Sequence, residues 1–143
     1  VKQIQMQMTD YSVSSEWWKK LITHFIQTND EIEIRCWKEE ISEIAQASLY
    51  GTPVSDGWEV SIRTIVTRNL LQELQTENPT DKSIYNKMTK YCTLRVKNPS
   101  YSFVSEHYGT EIYIAVSSDC AVVCFTELIH PYTDCFSINI TGS

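Results

Sequence analysis

The chain has 143 residues, 42% of them hydrophobic and 21% charged, with four glycines and four prolines. That balance excludes a disordered, collagenous or low-complexity polypeptide and fits one globular domain with a real core. The net charge of −6 has the wrong sign for a protein built around phosphate backbones, and no window approaches the roughly 18 apolar residues of a membrane span.

The opening segment Val1–Met8 lacks the apolar stretch of a signal peptide. Five cysteines is an odd number, so at least one is unpaired within the chain. Cys36, Cys92, Cys120 and Cys124 lie in apolar runs, where a reduced cysteine acts as a small hydrophobe. These features predict a reducing, cytoplasmic setting. Asn139-Ile-Thr141 matches a glycosylation acceptor, which has meaning only in a secreted chain.

Ile4, Met6 and Met8 alternate with glutamines and predict a short edge strand. Ser14 or Ser15 then caps a helix over 15–27, in which Trp18, Leu21, Ile22 and Phe25 follow helical spacing. From Glu31 to Trp37 the period changes to two, with Ile32, Ile34 and Cys36 on one face and Glu31, Glu33, Arg35 and Trp37 on the other. A second helix over 38–49 is expected to turn Ile41, Ile44, Ala45 and Ser48 inward. Gly51 to Gly57 reads as a loop. A strand then runs to about Thr67, followed by a helix through Leu70, Leu71 and Leu74.

Asn78-Pro79 ends that helix, and Thr80 is placed to cap another over 81–90, with Ile84, Tyr85 and Met88 inward. Cys92, Leu94 and Val96 mark a strand, as do Tyr101 and Phe103. The densest apolar stretch, 111–127, reads as a hairpin turning at Ser117-Ser118-Asp119, apolar on both faces and therefore central in a covered sheet. Phe136, Ile138 and Ile140 form a last strand. Helices scattered early and strands gathered late predict an α+β fold. It is a mostly antiparallel sheet of about five to seven strands, with three or four helices packed against it.

No phosphate-binding loop, dinucleotide fingerprint, nucleophile elbow or H-E-x-x-H motif is present. Cys120, Cys124, His130 and Cys135 have the residue types of a zinc site. On a strand, however, Cys120 and Cys124 would lie roughly 13 Å apart, too far for one ion. Nucleophilic catalysis needs a thiolate beside a base. His107, next to Glu106, and His130, near Asp134 and Cys135, are candidates, but nothing in the spacing joins them to a cysteine. The reading therefore assigns no catalytic residue, no metal and no cofactor.

The remaining signal is an acidic surface with an aromatic set in it: Glu31, Glu33, Trp37, Glu39, Glu40 and Glu43. Such a patch suits a basic protein partner, with the charges speeding encounter and the aromatic anchoring the complex. The expectation is a small non-enzymatic binding module of the inhibitor or immunity type, masking a basic protein such as a nuclease. A Cys/His-dependent hydrolase-like enzyme and a structural protein dimerising through the edge of the 135–140 strand are the alternatives.

Overall fold

The computed structural model describes residues 1–79 and 86–142. Its described elements are strands β1 (Lys2–Met8), β2 (Glu31–Trp37), β3 (Pro53–Asp56), β4 (Glu59–Ile65), β5 (Thr93–Asn98), β6 (Tyr101–Glu106), β7 (Glu111–Val116) and β8 (Phe136–Gly142). The helices are α1 (Glu16–Phe25), α2 (Ile41–Ala47), α3 (Arg68–Thr76) and α4 (Asp119–Ile129), the last running into a 3-10 segment, His130–Cys135. All eight strands form one antiparallel sheet in the order β3-β4-β2-β5-β6-β7-β1-β8. The fold is thus α+β as expected, with a wider sheet than five to seven strands.

The sheet is two-faced. Ile4, Met6, Ile32, Ile34, Ile62, Leu94, Val96, Phe103, Ile112 and Ile114 form one side of a single core. Trp17, Trp18, Leu21, Ile22 and Phe25 of α1, Leu70 and Leu74 of α3, Phe125 and Ile129 of α4, and Ala47 of α2 form the other. Each fully buried side chain of this size contributes ~1.5–3 kcal/mol. Polar groups inside are paired: Trp18 Nε1 donates to Ser105 Oγ at 3.1 Å, with both residues buried. The opposite face carries Gln3, Gln5 and Gln7, the charged residues of β2, β4 and β5, and Val104, Tyr113 and Ala115, none of them in the core.

Five expectations change. β1 is not an edge but lies between β7 and β8. Its alternation reports one covered face and carries no information about hydrogen-bonded neighbours. Within 51–57, residues Pro53–Asp56 pair with β4 around a Gly57-Trp58 turn, where Gly57 has a φ of 62°. In α2, which begins at Ile41 rather than at residue 38, Ile41 and Ala45 are exposed and Ala47 is the buried residue. The proposed cap at Thr80, with Ile84 and Tyr85, lies outside the described residues, while 86–90 is irregular and buries Met88.

The fifth change is the largest. Residues 111–116 are a strand as expected, but 119–129 is a helix. Ser118 accepts hydrogen bonds from the amides of Cys120 and Ala121, and Asp119 stands in the first turn, where an acid favours the positive helix end. A continuous apolar run fits either buried strand or buried helix, and length with caps decides between them. Cys120 and Cys124 therefore sit one turn apart, about 6 Å along the axis, which removes the distance objection raised on strand geometry. Cys120 is exposed, so it does not fill the core as Cys36 and Cys92 do. Ser118→Ala should cost about 1 kcal/mol and lower the melting temperature by a few degrees in a thermal scan. An unchanged Tm would argue against a capped helix at this point.

Candidate functional site

The predicted acidic surface divides when its residues are placed. Glu31, Glu33, Arg35 and Trp37 do share the open face of β2, since their neighbours Ile32, Ile34 and Cys36 are buried. Glu33, however, is already engaged. Its carboxylate accepts from Ser61 Oγ at 2.6 Å, Arg35 at 2.9 Å and Arg95 at 3.2 Å, with Arg63 3.6 Å away. The Arg35 guanidinium spends its other nitrogens on Glu59, at 2.8 Å, and Asp56, at 2.9 Å. Cross-strand register makes this possible: Glu33 lies between Arg63 and Arg95, and Arg35 lies opposite Ser61.

The network shifts its members' proton affinities. Burial pushes Glu33 up, but bonds from Ser61, Arg35 and Arg95 outweigh it and hold the carboxyl at about 2. Bonding to Glu59 and Asp56 raises Arg35 above its ordinary value.

Glu40 also faces inward. It accepts from the Trp37 amide at 2.8 Å and from the Tyr108 hydroxyl at 3.0 Å. Burial nevertheless raises its pKa, against those two bonds. Glu39 is exposed and Glu43 half-buried, and among the described residues neither forms an ion pair. The exposed remainder of the patch is therefore Glu31, Trp37 and Glu39, with Glu43 half-buried.

Two tryptophans complete this end of the sheet. Trp37 is 40% exposed and pairs with Glu59, and Trp58, in the turn between β3 and β4, is 80% exposed. Lys38 N donates to Trp58 O at 3.1 Å, which ties the end of β2 to the turn. Ile41, a few residues on, is 76% exposed. The sequence placed Trp58 beside the Gly57 turn, yet its neighbourhood to Trp37 depends on pairing between β2 and β4.

Two further clusters were missed. Glu73, on α3, is buried and accepts from Tyr91 Oη at 2.5 Å, Gln46 Nε2 at 2.7 Å and Tyr50 Oη at 2.8 Å, with Lys90 Nζ at 3.2 Å. Burial would raise its pKa, but these donors outweigh it and leave it below the usual value. Tyr50 is pushed up to about 12 by burial and by this carboxylate. A fully satisfied carboxylate locks α2, α3 and the segment before β5 together. Helical spacing alone could have shown only that Glu73 neighbours Leu70 and Leu74.

The second cluster lies at the β6–β7 turn. Glu106, His107 and Glu111 each offer a ligand atom within 4.8 Å of the others, and His107 Nε2 lies 2.8 Å from Glu111 Oε2. The candidate catalytic groups His107 and His130 are both exposed and far apart in the chain, and the third histidine, His24 on α1, is exposed as well. No described cysteine bonds a histidine. Cys135 lies 3.9 Å from Asp10. Burial pushes Cys36 up to about 12 and raises Cys92, which keeps these thiols protonated.

Two outcomes test this geometry. Glu33 is depressed on folding, so its stabilisation is complete above its ordinary value of 4.5 and is lost as pH falls toward about 2. Urea denaturation between those limits should therefore show a smaller loss of stability in Glu33→Gln than in the wild type. Glu73→Ala, which strands buried donors, should cost about 3 kcal/mol in the same assay at neutral pH.

No described helix is long and apolar enough to cross a membrane. No protein-family model, curated protein or solved structure matches the chain.

Proposed function

We propose that the chain is a protein-binding module of the inhibitor or immunity type. Its contact surface is the end of the sheet carrying Trp37, Trp58 and Ile41, and its partner is a basic protein. The carrying observation is Trp58, 80% exposed on a two-residue turn next to a half-exposed Trp37. Tryptophan is seldom left this open on a monomer, and it is among the residues most enriched at interface hot spots.

The charges support a basic partner in a narrower way than the sequence implied. On the part of the open face formed by β3, β4, β2 and β5, Glu31, Glu33, Asp56 and Glu59 are balanced by Arg35, Arg63, Arg95 and Lys97, so that part carries no local excess. Glu39 and Glu43, neither of them in an ion pair among the described residues, together with the net charge of −6, supply the attraction. Such rim charges act mainly on the association rate and are screened by salt.

The test is a comparative capture. Immobilised wild-type chain should retain a basic protein from its native host, while Trp58→Ala and Trp37→Ala should each weaken that complex at least tenfold by surface plasmon resonance. Reversing Glu39 and Glu43 to lysine should slow association and flatten its salt dependence, with little change in dissociation. Identical captured proteins and affinities for wild type and the Trp37/Trp58 double variant would overturn the assignment.

A further inference from the structure

Glu106 and Glu111 face each other directly at the end of the β6–β7 pair, on the open face of the sheet. Like charges in that position repel. Elsewhere on this face the sequence answers a carboxylate with arginine, as at Glu33. Here, among the described residues, neither glutamate pairs with a lysine or an arginine. The group brought to them is an imidazole, with His107 Nε2 at 2.8 Å from Glu111 Oε2. Tyr113 Oη donates to the other oxygen of Glu111 at 3.3 Å.

We propose that Glu106, His107 and Glu111 bind a divalent first-row transition ion of the Zn²⁺ type. The donor set is one imidazole nitrogen and two carboxylate oxygens, which suits such ions. Ca²⁺ and Mg²⁺ take all-oxygen sets with more ligands or retained waters. Tetrahedral coordination at roughly 2.0–2.1 Å places donor atoms about 3.4 Å apart. The three atoms already lie within 4.8 Å of one another, so rotamer adjustments of surface side chains suffice. The closest contact, His107 to Glu111, opens by roughly half an ångström.

The turn fixes the backbone that carries the imidazole. Tyr108 N donates to Cys92 O at 3.0 Å, and Tyr108 O accepts from Met88 N at 2.8 Å. The buried Tyr108 is thereby pinned next to His107, and Thr110 Oγ1 donates to His107 O at 2.8 Å. Three protein ligands leave at least one coordination position open. A cleft of about 240 Å³ adjoins it, lined by His107 and Glu111 with Gln7, Tyr11 and Thr110.

The ion does not depend on the protein-binding surface and is tested separately. Co²⁺ is titrated into the full chain and followed by its visible absorption, with Zn²⁺ added as competitor. One equivalent should bind, with the spectrum of nitrogen and oxygen ligands and no thiolate charge-transfer band. His107→Asn, which tolerates the left-handed backbone of this residue (φ 50°), and Glu111→Gln should each weaken binding by roughly 100-fold or more. Tyr113→Phe, acting on Glu111 from outside, should weaken it by up to about tenfold. Unchanged melting temperatures of the ion-free variants establish that they fold. The proposal is overturned if Co²⁺ fails to bind at millimolar concentration, or if His107→Asn leaves the affinity intact. A thiolate band abolished by Cys120→Ser/Cys124→Ser also overturns it, because the ion then sits on α4.

Discussion

An eight-stranded sheet that the described helices cover on one side only is the constraint on which the rest of this molecule depends. All four described helices contribute to a single core against one face, so the other face must satisfy its own polar groups in contact with water. It does so by register. Pairing of β2 with β4 and β5 sets Glu33 between Arg63 and Arg95, and Arg35 reaches three carboxylates from the same face. Exposed ion pairs contribute little singly. Here Arg35 and Glu33 have side chains only 13% and 12% exposed, and each serves several partners, which is the arrangement in which charges cooperate. A register slip of one residue would turn this network into the core, so it also fixes the pairing.

That neutral centre displaces the chain's acidity to the ends of strands and helices. Glu40 connects two such ends. By accepting from the Trp37 amide and the Tyr108 hydroxyl, it ties the entry to α2 to the β6–β7 turn. The turn then folds over the helical layer, and Gly109, at a φ of 85°, allows it: a Cβ there would stand 2.8 Å from both Trp18 Nε1 and Met88 Cβ. His107 and Tyr108 take left-handed backbone in succession, at φ of 50° and 60°, a conformation that costs about 1–2 kcal/mol per non-glycine residue. The anchors around Tyr108 offset that cost. One half-buried carboxylate thus steadies both the tryptophan end and the histidine turn.

Patterns of local origin were legible in the sequence. The period-two run of β2 and the helical spacing of α1 reflect one covered face each, and both were read at nearly the observed boundaries. Residues 119–129 were misread because Ala121, Val122, Val123 and Phe125 satisfy a buried strand and a buried helix equally, and the decisive Ser118 cap looked like a turn. The interior place of β1 was illegible for a different reason. Its neighbours come from residues more than a hundred positions away, and alternation does not encode them. The same limit applies to the clusters. Glu106 and His107 were visible as a pair, but Glu111 joins them only once β6 and β7 are in register. Glu73 meets Tyr50 and Tyr91, 23 and 18 residues away along the chain, only in the folded state.

Placement of the residues also changes what would hold a partner. The sequence argued from six residues, five of them glutamates, yet Glu33 and Glu40 are committed within the fold. An exposed ion pair formed by Glu39 or Glu43 would contribute about 0.2–1 kcal/mol. Burying Trp58 from its present 80% exposure removes roughly 200 Å² from water, about 5 kcal/mol at 25 cal/mol per Å² before the costs of association. The comparison favours the aromatic anchors by several-fold for affinity and leaves the carboxylates a role in encounter. Those anchors sit on a rigid base, because the turn bearing Trp58 is bonded to Lys38 and flanked by Asp56 and Glu59, both held by Arg35. The ion-pair network that neutralises this part of the sheet face would therefore limit the entropy lost if a partner covered the tryptophans.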